Sequence, residues 1–357
     1  MQTVGTSHPQ ASCPVRSRRL KNYWEPIYNP GDDGEFFISD WAIDNKEYHR
    51  SRLGANELYK SRKNGRIKFE KVIFFKCDFT GNFLSRKNKL EFANCQFDCC
   101  DFGYSSWKFA KFKNCEFHAC SISMSSFDEV QFLNCIWKKI GFSGNETKIE
   151  NIIMTNPEEF INSGYTNLDE WVLKQLGTEN EYQQMRLEKT KAKMAKIIRN
   201  SLENQGDDDA YYEAVKVYLN QIIIYKIAKV KYYANKGGVI NHLFCVLKLI
   251  SYMIEKCIIN MSGFVNAWGQ SIGRPILTGI VIVLFFAILY YWLKIFTSCQ
   301  RSLIASGEIT LLVGYTKYAF KGMGKLKEIL LALNMFAGIW WYSVFIPTVI
   351  NRICRVR

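Results

Sequence analysis

From Phe92 to Phe142 an aromatic or aliphatic residue returns at every fifth position: Phe92, Phe97, Phe102, Trp107, Phe112, Phe117, Ile122, Phe127, Phe132, Trp137 and Phe142. Two residues before these stand mostly small ones, among them Cys95, Cys100, Ala110, Cys115, Cys120 and Cys135. A helix buries one face near every 3.6 residues and a strand every second residue. A period of five fits neither. It fits a chain that turns a corner every five residues. Four turns close one square coil, each side burying one large and one small residue, and stacked coils share a core. Phe69, Phe74, Phe79 and Leu84 carry the same rhythm in another phase, and SRKNK (85–89) reads as a loop between coils. The alternative is an ordinary sheet rich in Phe.

Past GFSGNETKIENIIMTNPEEF (141–160) the five-residue rhythm ends and helical spacing begins. One helix is expected from about Asp169 to Leu202, with Leu187, Met194, Ala195, Ile198 and Leu202 on its apolar face. NQGDDDA breaks it. A second follows on Tyr211, Ala214, Val215, Tyr218, Leu219, Ile222 and Tyr225, and the two form a hairpin. A third, Val239 to Met261, lines up Leu243, Val246, Leu247, Ile250, Ile254, Cys257, Ile258 and Met261. Lys248, Glu255 and Lys256 lie elsewhere on it, so it reads as an amphipathic helix along a membrane surface rather than a span. A packed soluble helix is the alternative.

Two stretches are apolar enough to cross a bilayer. No charge stands between Arg274 and Lys294, and Pro275 opens the segment where a missing N–H is tolerated. Tyr290, Tyr291 and Trp292 read as an aromatic belt at its far end. From Ile329 to Ile350 there is again no charge, with Asn334 the main polar intruder and Pro347 a kink. Arg352, Arg355 and Arg357 then form a basic, membrane-surface cluster of the cytoplasmic kind. Two spans put both termini on one side. The segment between them carries Arg301, Lys317, Lys321, Lys325 and Lys327 against Glu308 and Glu328, which does not mark it as external by charge.

The fifth-residue rhythm resembles the pentapeptide-repeat family over about residues 65–145. That resemblance implies a mixed architecture: a right-handed quadrilateral β-helix, then an α-helical hairpin linker, then a C-terminal two-helix transmembrane region. The boundaries expected are 1–21 a disordered tail, 22–64 an N-terminal cap and 65–145 the solenoid. Residues 165–236 are the hairpin, 237–262 the amphipathic interfacial helix and 274–357 the two-span module. SLIASGEITLLVGYTKYAF (302–320) is too apolar for an exposed loop and short for a span, as a re-entrant element would be. Its Val313, Gly314 and Tyr315 resemble the T-V-G-Y-G filter of two-helix potassium-type channels. There, four loops present carbonyls that replace an ion's water shell. Leu312 replaces the leading Thr, Thr310 lies two residues earlier, and Thr316 replaces the last Gly. The resemblance implies an ion path over Thr310, Val313, Gly314, Tyr315 and Thr316. Bacterial pentapeptide-repeat proteins with a helical linker and a two-span, channel-like module are similar over about residues 65–357.

Composition changes the picture in a few places. The chain has 357 residues, 48% apolar, with a net charge of +14, enough for two or three structural units. Of its twelve cysteines, Cys77, Cys95, Cys100, Cys115, Cys120 and Cys135 fall on the small inward positions. Burial as small hydrophobes explains them, and free thiols suit a reducing compartment. The first twenty residues hold no apolar signal segment. The expected location is the inner (plasma) membrane, multi-pass, with the solenoid and the C-terminus cytoplasmic. His8, His49, His118 and His242 show no metal spacing, and hydrolase, zincin, Walker and dinucleotide motifs are absent. No enzyme, metal or cofactor is expected. Residues 65–142 hold 12 Lys or Arg against 8 Asp or Glu, the wrong sign for DNA mimicry, so nucleic acid is disfavoured as a partner.

Two readings remain. One is an oligomeric, tetrameric channel-like pore in membrane lipid, passing an inorganic cation, whose solenoid senses or binds an unknown protein partner. A form of it is a membrane-depolarising defence effector. The other is a non-conducting, membrane-anchored scaffold that presents the solenoid for protein–protein interaction.

Overall fold

A computed structural model describes residues 14–16, 35–38, 41, 46–60, 66–84, 90–141, 147–165, 180–203, 208–234, 239–318 and 324–355. The chain divides into two compact units, 1–254 and 255–357.

The first unit is a parallel β-solenoid closed by helices. One side stacks Glu47–His49, Ile73–Phe75, Gln96–Asp98, Glu116–His118 and Ile136–Lys138 in parallel. A second stacks Ile67–Glu70, Leu90–Ala93, Lys111–Lys113, Gln131–Leu133 and Ile153–Met154. A third, seven strands deep, runs from Pro14–Arg16 to Lys148–Glu150. The fourth is thinner, joined by single bridges from Asp78 through Asp101 and Ser121 to Gly141.

The corners explain the period. Asn94, Cys99, Tyr104, Phe109, Asn114, Ala119, Met124, Glu129, Asn134 and Lys139 stand five apart, all with φ between 52° and 59°. Left-handed backbone costs a non-glycine residue about 1 kcal/mol or more. Most of these corners recover it by giving their amide to the next coil: Cys99 N to His118 O at 2.9 Å, Asn114 N to Leu133 O at 2.8 Å. Asparagine tolerates this conformation best, and Asn114 also donates to Asn94 Oδ1 at 3.2 Å.

Inside, each side forms a column of rings. Phe74–Phe97 and Phe97–Phe117 stack at 4.8 and 4.9 Å with planes within 7°. That is the spacing of neighbouring strands, so the backbone sets the ring separation. Tyr48 and Trp137 extend the column at its two ends. The inward cysteines make a second set. Cys100 and Cys120 donate to Phe74 O and Phe97 O at 3.2 Å, and Cys115 and Cys135 to Phe92 O and Phe112 O at 3.4 and 3.5 Å. All described cysteines are free. Burial pushes the Cys135 thiol up to about 12 and Cys100 well above its ordinary value, so both stay protonated donors.

Coils reach beyond 65–145 in both directions. Tyr48 pairs with Phe74 and Leu53 with Phe79, each 26 residues apart, because helix α1 (Ala55–Lys60) is inserted between the coils. Phe127 pairs with Ile149 and Phe132 with Met154, 22 apart. Insertions keep the stacking register while erasing the period from the sequence. The expected tail contains a strand, Pro14–Arg16, antiparallel to Glu35–Ile38; its other residues lie outside the described ones. Trp41 plugs the first coil, its ring 5.1 Å from Phe69 and its N–H bonded to Gly54 O at 2.9 Å.

Helices close the other end. Phe160, on α2 (Pro157–Asn162), sits edge-on to Trp137 at 4.8 Å. Helices α3 (Asn180–Glu203) and α4 (Asp208–Ala234) form the expected hairpin; residues 166–179, where the first was expected to begin, lie outside the described residues. Met194, Ala195, Ile198, Leu202, Ala210 and Ala214 join the solenoid core directly, and Ser201 Oγ accepts from Ile152 N at 2.9 Å. The hairpin is therefore the solenoid's C-terminal cap. Between its helices lies a buried polar cluster: Glu188 takes bonds from Gln184 at 2.7 Å and from Gln221. Helix α5 (Val239–Asn266) follows, longer than the expected 237–262.

The second unit contains α6 (Gly273–Trp292), α7 (Cys299–Thr310), α8 (Tyr315–Tyr318) and α9 (Lys325–Arg355). Helices α6 and α9 are long and apolar enough to cross a membrane.

Candidate functional site: a short helix held between two apolar spans

Helix α7 begins on a cap made for it. Ser298 is extended, and its Oγ accepts from Arg301 N at 3.2 Å. Along α7, Ser302, Ser306 and Thr310 recur at i, i+4 and i+8, and all three are buried. In an apolar setting each hydroxyl needs a partner. Ser302 returns its proton to Ser298 O at 3.0 Å, and Ser306 donates to Val283 O of α6 at 2.8 Å. Thr310 Oγ1 lies 2.8 Å from both Ser306 O and Asn334 Oδ1.

Asn334 is the hub. It is fully buried on α9, and its amide donates to Tyr290 OH at 2.9 Å and Ser306 O at 3.3 Å. One side chain thus ties α6, α7 and α9 together. Tyr290, expected in the aromatic belt, is instead buried in this knot, because its hydroxyl finds Asn334 there. Tyr291 and Trp292 remain exposed, at 52% and 81%.

Two glycines permit the close packing. A Cβ on Gly338 would run into the carbonyl of Thr310, so α9 meets the end of α7 backbone to side. A Cβ on Gly279 would meet the Trp341 ring at 2.6 Å, and that ring's N–H donates to Pro275 O at 2.6 Å. Phe286, Tyr290, Ile309 and Leu331 form the apolar centre.

The segment after α7 winds back on the helix. Leu312 takes φ 63°, and the amides of Val313 and Gly314 both reach Glu308 O, at 2.9 and 3.0 Å. This is a helix-ending turn with leucine where glycine is usual. Gly314 is buried, and a Cβ there would meet Glu308 Cβ at 2.7 Å. Glu308 then binds the other arm of the turn, Lys317 Nζ at 2.9 Å and Tyr318 OH at 2.8 Å.

Of the residues expected on an ion path, Thr310 lies inside the three-helix knot, Gly314 is packed on Glu308, and Tyr315 is half-buried against the apolar centre. Val313 is 77% exposed and Thr316 is exposed. Within one chain they do not converge on a point. Arg352 and Arg355 occupy the last turns of α9, and Arg357 lies outside the described residues. The sequence pattern assigned no role to Ser302, Ser306, Gly279 and Gly338 and counted Glu308 only as a loop charge; the i, i+4, i+8 hydroxyl stripe was the available signal. Among the described residues no cluster of His, Cys, Asp or Glu could hold a metal ion. No family model and no curated protein matches the chain.

Proposed function

We propose that the chain is a pentapeptide-repeat protein anchored in the inner membrane through α6 and α9, and that several copies, four by the channel analogy, assemble a cation-conducting pore. The two spans with α7 between them are the pore unit of each copy. The end of α7, with Val313, Gly314, Tyr315 and Thr316, lines the ion path. The solenoid and its helical cap stand in the cytoplasm and take a protein partner that controls opening. The role is recognition and conduction, without catalysis, and depolarisation on a trigger is the effector form of it.

The observation that carries this reading is the burial of one face of α7, through Ser302, Ala305, Ser306, Ile309 and Thr310. A twelve-residue helix lodged between two membrane-length helices, fixed by Asn334, and ending in a Val-Gly-Tyr turn is the arrangement a re-entrant pore element needs. The test is potassium flux from liposomes holding the purified protein. Flux that Gly314→Ala or Tyr315→Ala removes supports the pore; flux unchanged by both counts against it.

One observation favours the second reading, a non-conducting anchored scaffold. Residues 311–314 curl back onto the end of α7 rather than extending, their amides bonded to Gly307 O, Ile309 O and Glu308 O. On that reading a chain ending near Lys236 keeps the solenoid's partner, because the spans only tether it.

A further inference from the structure

Helix α5 turns its apolar side outward. Leu243, Leu247, Ile250, Ile254, Ile258 and Met261 recur at helical spacing, and each is half or more exposed. The opposite edge carries Lys248, Tyr252, Glu255 and Lys256. On that edge Tyr252 alone is seen to meet α4, where the Lys226 ammonium lies 5.4 Å above its ring, and Lys248 is exposed. A soluble helix packs the other way round, apolar side to protein and charged side to water.

Three internal charges keep α5 from spanning a bilayer. Its C-terminal end is also fixed near one end of the spans. Asn266 donates to Thr348 Oγ1 at 3.0 Å, one turn before Arg352 on α9. The Trp341 bond to Pro275 O brings Arg274, at the start of α6, to the same half of α9. Helix α5 does not run on into α6. Ala267, Trp268 and Gly269 take φ of 49°, 59° and 109° in succession, and the Trp268 ring folds onto Gly263, where a Cβ would meet it at 2.5 Å.

We propose that α5 lies in the interface of a leaflet with anionic headgroups, its apolar side in the acyl boundary and Lys248, Lys256 and Arg274 toward the phosphates. This rests on the anchoring proposed above. Charge selects the lipid: from 226 to 274 six lysines and one arginine stand against Glu255 alone. Basic residues at an anionic surface add to the attraction of buried apolar area.

The test uses the full chain in nanodiscs of phosphatidylcholine, with and without phosphatidylglycerol. An environment-sensitive fluorophore is placed at Ile250→Cys or Lys248→Cys, with the exposed native cysteines changed to Ser. At position 250 the expected result is quenching by nitroxide on the lipid tails and several-fold shielding from acrylamide, stronger with phosphatidylglycerol. Position 248 stays open to acrylamide, and K248E/K256E removes the phosphatidylglycerol effect. Open access of acrylamide to position 250 in phosphatidylglycerol discs overturns the inference. So does shielding with self-quenching between copies, which assigns the face to a second chain, and so does indifference to phosphatidylglycerol. Carbonate extraction of the same protein separates the premise: release from membranes brings down the anchoring itself, whereas retention with an open position 250 brings down only the α5 assignment.

Discussion

The solenoid and the helical second unit hold themselves together by opposite means. In the solenoid each contact is repeated one coil further on. Phe83 stacks on Trp107 at 3.9 Å, Phe92 on Phe112 at 5.0 Å, Phe112 on Phe132 at 5.2 Å, and each inward thiol bonds the coil before it. In the second unit the contacts between helices rest on single residues: one asparagine, one Trp–carbonyl bond, one Gly–carbonyl approach. Repetition makes a rigid platform whose stability is spread along its length. Singular contacts make a unit that one substitution can loosen.

The sharpest break in this comparison is Trp107→Ala. Trp107 is fully buried and packs on Phe83, Phe79 and Phe112. Its loss is expected to cost about 3–5 kcal/mol, read as a lowered denaturation midpoint. A solenoid indifferent to it would contradict the shared-core account. In the other unit, Asn334→Leu removes the partner of Thr310 and Tyr290 together. Polar contacts in membranes are worth about 0.6–2 kcal/mol each, so thermal stability in detergent falls by a comparable amount while the solenoid's transition stays put. Loss of both transitions would mean the units are not energetically separate.

A smaller effect sharpens the thiol columns. Cys100, Cys115, Cys120 and Cys135 should resist a water-soluble disulfide reagent in the native protein, while the exposed Cys257, Cys299 and Cys354 react once the chain is in detergent. Rapid native reaction of the inward set would contradict their burial. The smallest effect concerns the outside of the coils. Lys108 bonds Asp128, with help from Asn151, and holds its carboxyl below the usual range. A depressed folded pKa gives stability that is present above the unfolded carboxyl value of about 3.9 and is lost as pH falls through the folded one. The contribution is expected below about 1 kcal/mol at this partly exposed pair, and Asp128→Asn should flatten the acid limb by that amount.

The sequence was most legible where structure repeats. Eleven residues at a spacing of five could only be inward if the chain turned a corner each time, and the left-handed corners at Asn94, Asn114 and Asn134 meet that need. It was least legible where geometry depends on a partner element. The first and last coils were hidden because insertions change the spacing to 26 and 22 while the strands keep their pairing. Tyr290 and Tyr291 are neighbours of one chemical type, yet only Tyr290 faces Asn334. Hydropathy finds a span but not which side of it another helix will cover. Gly279 and Gly338 carry no signal until the ring and the carbonyl they admit are in place.

The central claim is that the end of α7 lines a cation path. Planar-bilayer recording of the purified full-length protein, under opposed potassium and sodium gradients, tests it most directly. The account predicts discrete openings with a cation-set reversal potential, lost on Gly314→Ala. Openings that reverse at the anion potential, or silence from protein shown to be inserted and oligomeric, would contradict it and leave the solenoid on an inert anchor.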